Sequence, residues 1–241
     1  MTGAATPSLW RKGTGRAAMG LCLLIVALLG WRWWSTHWRP GAAEWPTQGV
    51  AIGAENDPVS WPALATQGIS FAYIDATRGA RQANPHFSRD HDAALPSGLH
   101  SGAIHQYRLC ERAMDQAAAF VRLVPREATS LPPLVTLDLD DNCAAQPSRA
   151  LLLSELSTFL TQLETHMGKS AFIAPSAEFE ERYDISSAIV RGLMVHSPRS
   201  EPDADDPTWV LWLANDQLRI AGSDGPTRLL VLSNSPRGAN P

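Results

Sequence analysis

The sequence predicts an α/β fold with a parallel sheet, preceded by one N-terminal transmembrane helix. Apolar strand candidates alternate with helical stretches through most of the chain, and several of these strands are apolar on both faces. Both features are typical of a parallel sheet that is covered by helices. The third observation is an uncharged apolar run near the N-terminus. The residues that follow position 45 are enough for one domain with a sizeable core.

The apolar run extends from Ala17 to Trp31 and is shorter than the roughly 20 residues of a full membrane span. Counting Trp33 and Trp34 as interface anchors, with Arg32 snorkelling, extends the predicted anchor to residues 17–34. A cleaved signal peptide is the alternative, because a basic start and a short apolar core fit it as well. No small-residue cleavage site precedes the cluster of tryptophan and arginine, so we favour an uncleaved anchor.

The charges around this run predict which side of the membrane the domain occupies. Three basic residues precede the run, so residues 1–16 are expected in the cytoplasm. The remainder is then expected on the periplasmic or extracytoplasmic side of the cytoplasmic (inner) membrane, held by a single pass. Such a compartment permits a disulfide between Cys110 and Cys143. The alternative is two buried free thiols.

The chain divides where its composition changes. Proline and glycine between Arg39 and Gln48 indicate a linker. The predicted parts are a cytoplasmic basic tail (1–16), a transmembrane anchor (17–34), a linker (35–46), a folded domain (47–234) and a disordered tail (235–241).

Charge and cysteine usage exclude several kinds of partner. The net charge is -4, the pI is about 6.0, and the lysines are Lys12 and Lys169. No basic stripe with interleaved aromatic residues follows position 45, so nucleic acid is not an expected partner. The three cysteines lack the spacing of a zinc site. We therefore expect neither a metal nor a cofactor.

The elements of the domain follow from apolar patterning. Strand candidates are residues 49–53, 69–76, 102–109, 134–139, 171–174, 189–195 and 209–214. Helix candidates are residues 59–67, 84–95, 113–123 and 148–167. The last of these is the strongest, because Ser148 can cap it, one apolar stripe runs along it and Gly168 can end it.

The strand at 134–139 delivers carboxylates to its own C-terminal end: Asp138, Asp140 and Asp141. In (β/α) barrels the C-terminal strand ends carry the chemistry, and paired carboxylates there are the usual apparatus of glycoside cleavage. The alternative is a solvated acidic turn.

The order of several short motifs resembles glycoside hydrolase family 25, the muramidases or lysozymes that cut bacterial peptidoglycan. GVAIGAENDPVSW at 49–61 is similar to the family's GVDVSxxQGxIDW, and FAYIDATRG at 71–79 is similar to FAYIKATEG. GAIHQY at 102–107 is similar to GAYHFF, and residues 209–232 are similar to the family's last motif. The resemblance implies an irregular, TIM-barrel-like (β/α) barrel with a sugar groove at the C-terminal strand ends.

The departures from the family pattern fall on polar positions. Ala51 stands where the family's first strand carries an acid, and Thr136 and Asp138 stand where its strand reads Asp and Glu. Asp75 replaces a lysine, and Arg228 replaces an aspartate. The resemblance therefore implies a membrane-anchored lysozyme-like domain directed at peptidoglycan, with weak or lost muramidase activity. The alternative is a non-catalytic envelope binding or scaffold protein on the same fold.

Asp138 is the candidate general acid, although its side chain is one methylene shorter than glutamate. Asp140 is the candidate second acid, because residues two apart on a strand face the same side. A two-residue insertion would instead make Asp138 and Asp140 the family's own acid pair. That shift would misplace Asn142 and Cys143, which fit the ungapped match.

Four further residues are candidates for substrate binding: Asp75, His105, Tyr107 and Trp212. For Asp75 the alternative is a rearranged polar network, and for His105 it is a hydrogen-bonded structural role. The expected partners are peptidoglycan glycan strands or an envelope protein, together with the inner membrane.

Overall fold

The computed structural model describes residues 9–139, 143, 145–203 and 208–234, and its centre is a closed barrel of eight strands. The barrel strands are β1 (Gln48–Ile52), β2 (Ile69–Arg78), β4 (His100–Tyr107), β5 (Leu134–Leu137), β6 (Phe172–Pro175), β7 (Gly192–His196), β8 (Trp209–Leu218) and β9 (Thr227–Leu232). A two-residue strand, β3 (Gln82–Ala83), pairs with the end of β2 outside the ring.

Neighbouring strands run parallel around the ring from β1 through β2, β4, β5, β6 and β7 to β8. The last strand, β9, is antiparallel to both β8 and β1 and closes the ring between them. It follows β8 through a short connection, which can join only antiparallel neighbours. The predicted α/β barrel is therefore confirmed, and its irregularity lies in this last strand.

Six helices accompany the strands in the described residues: α1 (Leu9–His37), α2 (Trp61–Thr66), α3 (Phe87–Ala94), α4 (Ala113–Leu123), α5 (Arg149–Met167) and α6 (Ala177–Tyr183). The caps predicted for α5 are both present. The Ser148 hydroxyl accepts a hydrogen bond from the Leu151 N–H, and Gly168 ends the helix in the left-handed region at φ 68°. The apolar stripe of α5 is buried.

Side chains of the strands alternate between two apolar layers. One face of each strand fills the barrel interior, where Phe71, Tyr73, Leu134 and Leu213 pack together. The other face forms a larger core with the surrounding helices. This alternation is the ordinary pleat of a strand, and it decides which polar residues can reach the inside of the barrel.

Helix α1 is longer than the predicted anchor. Residues Ala17–His37 form a helix that is long and apolar enough to cross a membrane, and its large apolar side chains are exposed. Length and composition alone do not separate a membrane span from a signal sequence.

The segment predicted as a linker is fixed to the barrel. Asn215 of β8 donates hydrogen bonds from its Nδ2 to the Ser35 and Trp38 carbonyls, both at 2.9 Å. The Trp45 ring is buried and lies 5.7 Å from the Trp212 ring. The segment is therefore attached to the barrel despite its proline and glycine residues, because Trp38 and Trp45 pack on β8.

Candidate active site at the C-terminal mouth of the barrel

The parallel strands finish at one end of the barrel, which we call the C-terminal mouth. Its inward-facing residues are Ala51, Asp75, Gln106, Thr136 and Arg228, which share the faces that point into the barrel interior. In (β/α) barrels this end carries the chemistry. The C-terminal mouth is therefore the candidate active site.

An ion pair occupies part of the mouth. Arg228 donates from Nη2 to both carboxylate oxygens of Asp75 at 3.0 Å, and Gln106 donates to Asp75 Oδ2 at 3.4 Å. Burial raises the pKa of the Asp75 carboxyl, and the nearby Glu55 adds to the rise, whereas Arg228 and Gln106 oppose it. The structure therefore places Asp75 in the mouth, within a rearranged polar network.

Glu55 lies in the loop directly after β1. Gly53 is extended, and a Cβ added to it would overlap the Glu55 carboxylate, which therefore lies over the end of β1. Asn56 holds this loop. It accepts the Gly53 N–H at 2.9 Å and donates to the Asp224 and Pro226 carbonyls at 3.0 and 2.9 Å.

Asp138 follows β5 directly and is exposed. Thr136 lies two residues earlier on the same face, in the strand whose Leu134 fills the interior. Asp138 is thus at the rim of the mouth with its carboxylate open to solvent. Asp140, the predicted second acid, lies outside the described residues, and its pairing with Asp138 stays a prediction.

His105 and Tyr107 point away from the mouth. Both belong to the face of β4 that packs against the helices, while Ile104 between them fills the interior. The ring centroids of His105 and Phe159 lie 4.6 Å apart, and those of Tyr107 and Phe159 lie 5.3 Å apart. Both side chains therefore lie in the outer core, between the strands and the helices, and not in the mouth where a substrate contact was predicted.

His105 is fully buried and hydrogen-bonded on both ring nitrogens, which agrees with the hydrogen-bonded structural role given above as its alternative. Gln116 donates its Nε2 to the Arg108 and Glu111 carbonyls at 2.9 and 3.0 Å, so its Oε1 faces His105 Nε2 at 3.2 Å. His105 Nε2 must then carry the proton, and Nδ1 accepts from the Thr77 hydroxyl at 2.8 Å. Burial lowers the pKa of His105 to about 4, opposed by the bond to Gln116. The ring is neutral.

Trp212 is also outside the mouth. Its side chain is buried, and its Nε1 donates to the Ser197 carbonyl at 2.8 Å. The ring packs edge-on against Trp38 and Trp45. Three β-bulge irregularities interrupt β8, so simple alternation along the strand does not show which way the Trp212 side chain faces.

A disulfide joins the two loops beside the mouth, and this prediction is confirmed. Cys110 follows β4 and Cys143 lies between β5 and α5, with their Cα atoms 5.5 Å apart. The bond therefore ties the chain that leaves Asp138 to the loop that Gln116 holds.

The opposite, N-terminal end of the barrel contains a cavity of about 480 Å³. Its lining is mostly apolar and includes Phe71, Tyr73, Phe172 and Leu211. No carboxylate stands among the described residues that line it. Glycoside cleavage needs carboxyl groups, so this end does not compete with the C-terminal mouth as the candidate active site.

Two residues of the mouth, Arg228 and Glu55, are not among the site residues that the sequence predicts. For Arg228, nothing local in the sequence indicates that it pairs with Asp75 across the barrel. Glu55 carries one usable signal, which is its position immediately beyond the first strand.

Comparisons with known proteins agree with this architecture. The model of glycosyl hydrolases family 25 matches residues 51–222. The uncharacterized protein YegX of Escherichia coli K12 is 24% identical over 202 residues, covering 80% of this chain and 72% of YegX. Lysozyme M1 of Streptomyces globisporus is 23% identical over 215 residues, covering 78% of this chain and 71% of the lysozyme.

Solved structures share the fold. A family 25 glycosyl hydrolase from Bacillus anthracis has a TM-score of 0.73 and 25% identity, over 82% of this chain and 92% of that one. A bacterial lysozyme from Streptomyces coelicolor has a TM-score of 0.67 and 20% identity, over 78% and 93% of the two chains. Since the family model spans well over half of the sequence, this chain belongs to glycosyl hydrolase family 25.

Proposed function

We propose that this chain is a membrane-anchored family 25 domain that binds peptidoglycan glycan strands at the C-terminal mouth and cleaves them weakly. The observation that carries the proposal is the exposed Asp138 carboxylate at the end of β5, beside a polar mouth, in a barrel of this family. Lysozyme M1, a relative over most of the chain, supports the choice of substrate.

The weak activity follows from the side chains present. The Asp138 carboxylic acid gives its proton to the glycosidic oxygen as the bond to the anomeric carbon breaks. Its carboxyl stands about 1.5 Å further back than that of a glutamate, and displacements near 1 Å can cost roughly 10²-fold in rate. The Arg228 cation would oppose the positive charge of the transition state, and the Asp75 carboxylate largely cancels it.

Membrane attachment is supported by α1. Its apolar side chains are unburied over Ala17–His37, and tryptophans stand at its C-terminal end. The disulfide between Cys110 and Cys143 suits an oxidising, extracytoplasmic compartment, where peptidoglycan lies.

A non-catalytic binding or scaffold role is the second candidate. The observation that favours it is the ion pair between Asp75 and Arg228, which fills part of the mouth with groups that neutralise each other. Thr136, which stands in place of an acid, points the same way.

The experiment is digestion of purified peptidoglycan by the full chain in detergent, with new reducing ends as the readout. We expect slow release by the natural protein and a loss of about 100-fold in Asp138→Asn. Asp92→Asn is the matched control, because Asp92 is 77% exposed on α3, away from the mouth. Sedimentation of the protein with peptidoglycan, without release of reducing ends, would establish the binding role instead.

A further inference from the structure

We infer that Glu55 is a further catalytic residue, the carboxylate that activates water on the other side of the mouth from Asp138. The inference rests on the proposed muramidase activity and names the second group that such cleavage needs. Two positions that could have carried a second acid are taken by Ala51 and Thr136. A replacement must come from another element of the mouth.

The first support is the place of the carboxylate. Gly53 lies two residues beyond Ala51, on the face that points into the barrel. The Glu55 carboxylate fills the space where a Gly53 Cβ would stand, so it occupies the inward side of β1 although its Cα belongs to the loop. It is near enough to Asp75 to raise the pKa of that carboxyl.

The second support is that the loop is held in place. Asn56 joins Gly53 to the Asp224 and Pro226 carbonyls in the connection between β8 and β9. A catalytic carboxylate needs such a fixed base, because small displacements are costly in rate.

The third support is that other carboxylates near the mouth are engaged. Asp75 is committed to Arg228. Glu111 accepts the Ala80 N–H at 2.5 Å. Glu55, by contrast, is exposed to solvent, where a water and a sugar can reach it.

In the proposed cleavage Asp138 is the general acid and Glu55 is the general base. Two strands, β2 and β4, stand between β1 and β5, and neighbouring strands are about 4.8 Å apart. The two carboxyl groups therefore approach the mouth from different sides, and the proposed step places a sugar and a water between them. Glu55 takes a proton from the water while the water oxygen bonds to the anomeric carbon. Asp138 gives its proton to the glycosidic oxygen as the bond between that oxygen and the anomeric carbon breaks. One water is consumed, and proton exchange with solvent restores both groups.

The test compares the full chain in detergent with Glu55→Gln and with Glu44→Gln, a change at an exposed residue before β1. Reducing-end release from peptidoglycan is followed between pH 3 and 8. We expect Glu55→Gln to lower the rate about 100-fold and to remove the fall in rate on the acid side, because the base can no longer be protonated. Glu44→Gln should behave as the natural protein. Added formate should restore part of the activity of Glu55→Ala, since it supplies a carboxylate in the vacated space.

The outcomes separate the two proposals. If the natural protein releases reducing ends and Glu55→Gln matches it, or keeps the acid-side fall, the role of Glu55 is overturned while the muramidase activity stands. If the natural protein releases none, the muramidase activity is overturned and the role of Glu55 with it. Circular dichroism of each variant shows whether its fold is intact.

Discussion

Asp75 in the C-terminal half of β2 and Arg228 at the start of β9 form an ion pair that passes over β1, with Arg228 Nη2 at 3.0 Å from both carboxylate oxygens. The strand beneath the pair carries Ala51, which is aligned with Arg228 in the ladder. Because the Ala51 side chain is a single methyl group, the Arg228 guanidinium can reach the Asp75 carboxylate above it. The small side chain at position 51 therefore leaves the space in which this ion pair forms.

The first prediction concerns this pair. Removing the cation in Arg228→Met should lower the free energy of unfolding by about 2 to 3 kcal/mol. That is less than the loss from a fully buried pair, because the side chains of Arg228 and Asp75 are 30% and 17% exposed. The double variant Asp75→Leu/Arg228→Met should recover part of the loss. Urea unfolding measures the free energy of unfolding of the natural protein and of both variants. A double variant that is less stable than Arg228→Met would contradict the coupling of the two residues.

The second prediction concerns pH. Folded His105 has a pKa of about 4, whereas an unfolded histidine has about 6.5. Between these values the unfolded chain binds a proton that the folded chain cannot. Stability should therefore fall as the pH falls from 6.5 towards 4, by up to about 3 kcal/mol. His105→Gln should flatten this slope, and His100→Gln, at an exposed residue, should leave it. Equal slopes in all three proteins would show that another group is responsible.

The third prediction concerns the disulfide. Cys110 and Cys143 close a loop across 33 positions, which predicts about 3 to 4 kcal/mol of stabilisation. The double variant Cys110→Ser/Cys143→Ser should lose most of it in urea unfolding. Thiol titration of the unfolded natural protein should find one thiol, from Cys22, before reduction and three after it. Three thiols before reduction would mean that the bond is absent from the protein as made.

The fourth prediction concerns the attachment of α1 to the barrel. Asn215→Ala removes both hydrogen bonds to the Ser35 and Trp38 carbonyls. We expect limited proteolysis of the detergent-solubilised protein to cut within 39–46 at least several times faster than in the natural protein. Gln217→Ala, at an exposed residue of the same strand, is the control. Unchanged cleavage in Asn215→Ala would show that the tryptophans alone hold the segment.

Much of the fold could be predicted because its signals are local. Helix α5 has a cap, a stripe and a glycine end within 21 consecutive residues, 148–168, and the structure has the predicted bounds almost unchanged. Strand β9 is different. Its antiparallel pairing with β1 joins residues at opposite ends of the domain, and apolar patterning carries no information about such a partner.

The candidate site was harder to predict for the same reason. Alternation along β4 could say that His105 and Gln106 face opposite ways, but only the closed barrel shows that Gln106 faces inward. Helix α4 then supplies Gln116 as the partner of His105, a contact set by packing. The bulges of β8 turn Trp212 outward, where Trp38 packs on it, and neither feature can be read from the local sequence.

The fastening of Ser35 and Trp38 to Asn215 has a consequence for the reach of this protein. With α1 as the proposed membrane anchor, no flexible linker would let the barrel move away from the bilayer. The C-terminal mouth could then contact only peptidoglycan that lies at one distance from the membrane surface. The fixed attachment of the barrel to the end of α1 would then determine which layer of the cell wall this domain reaches.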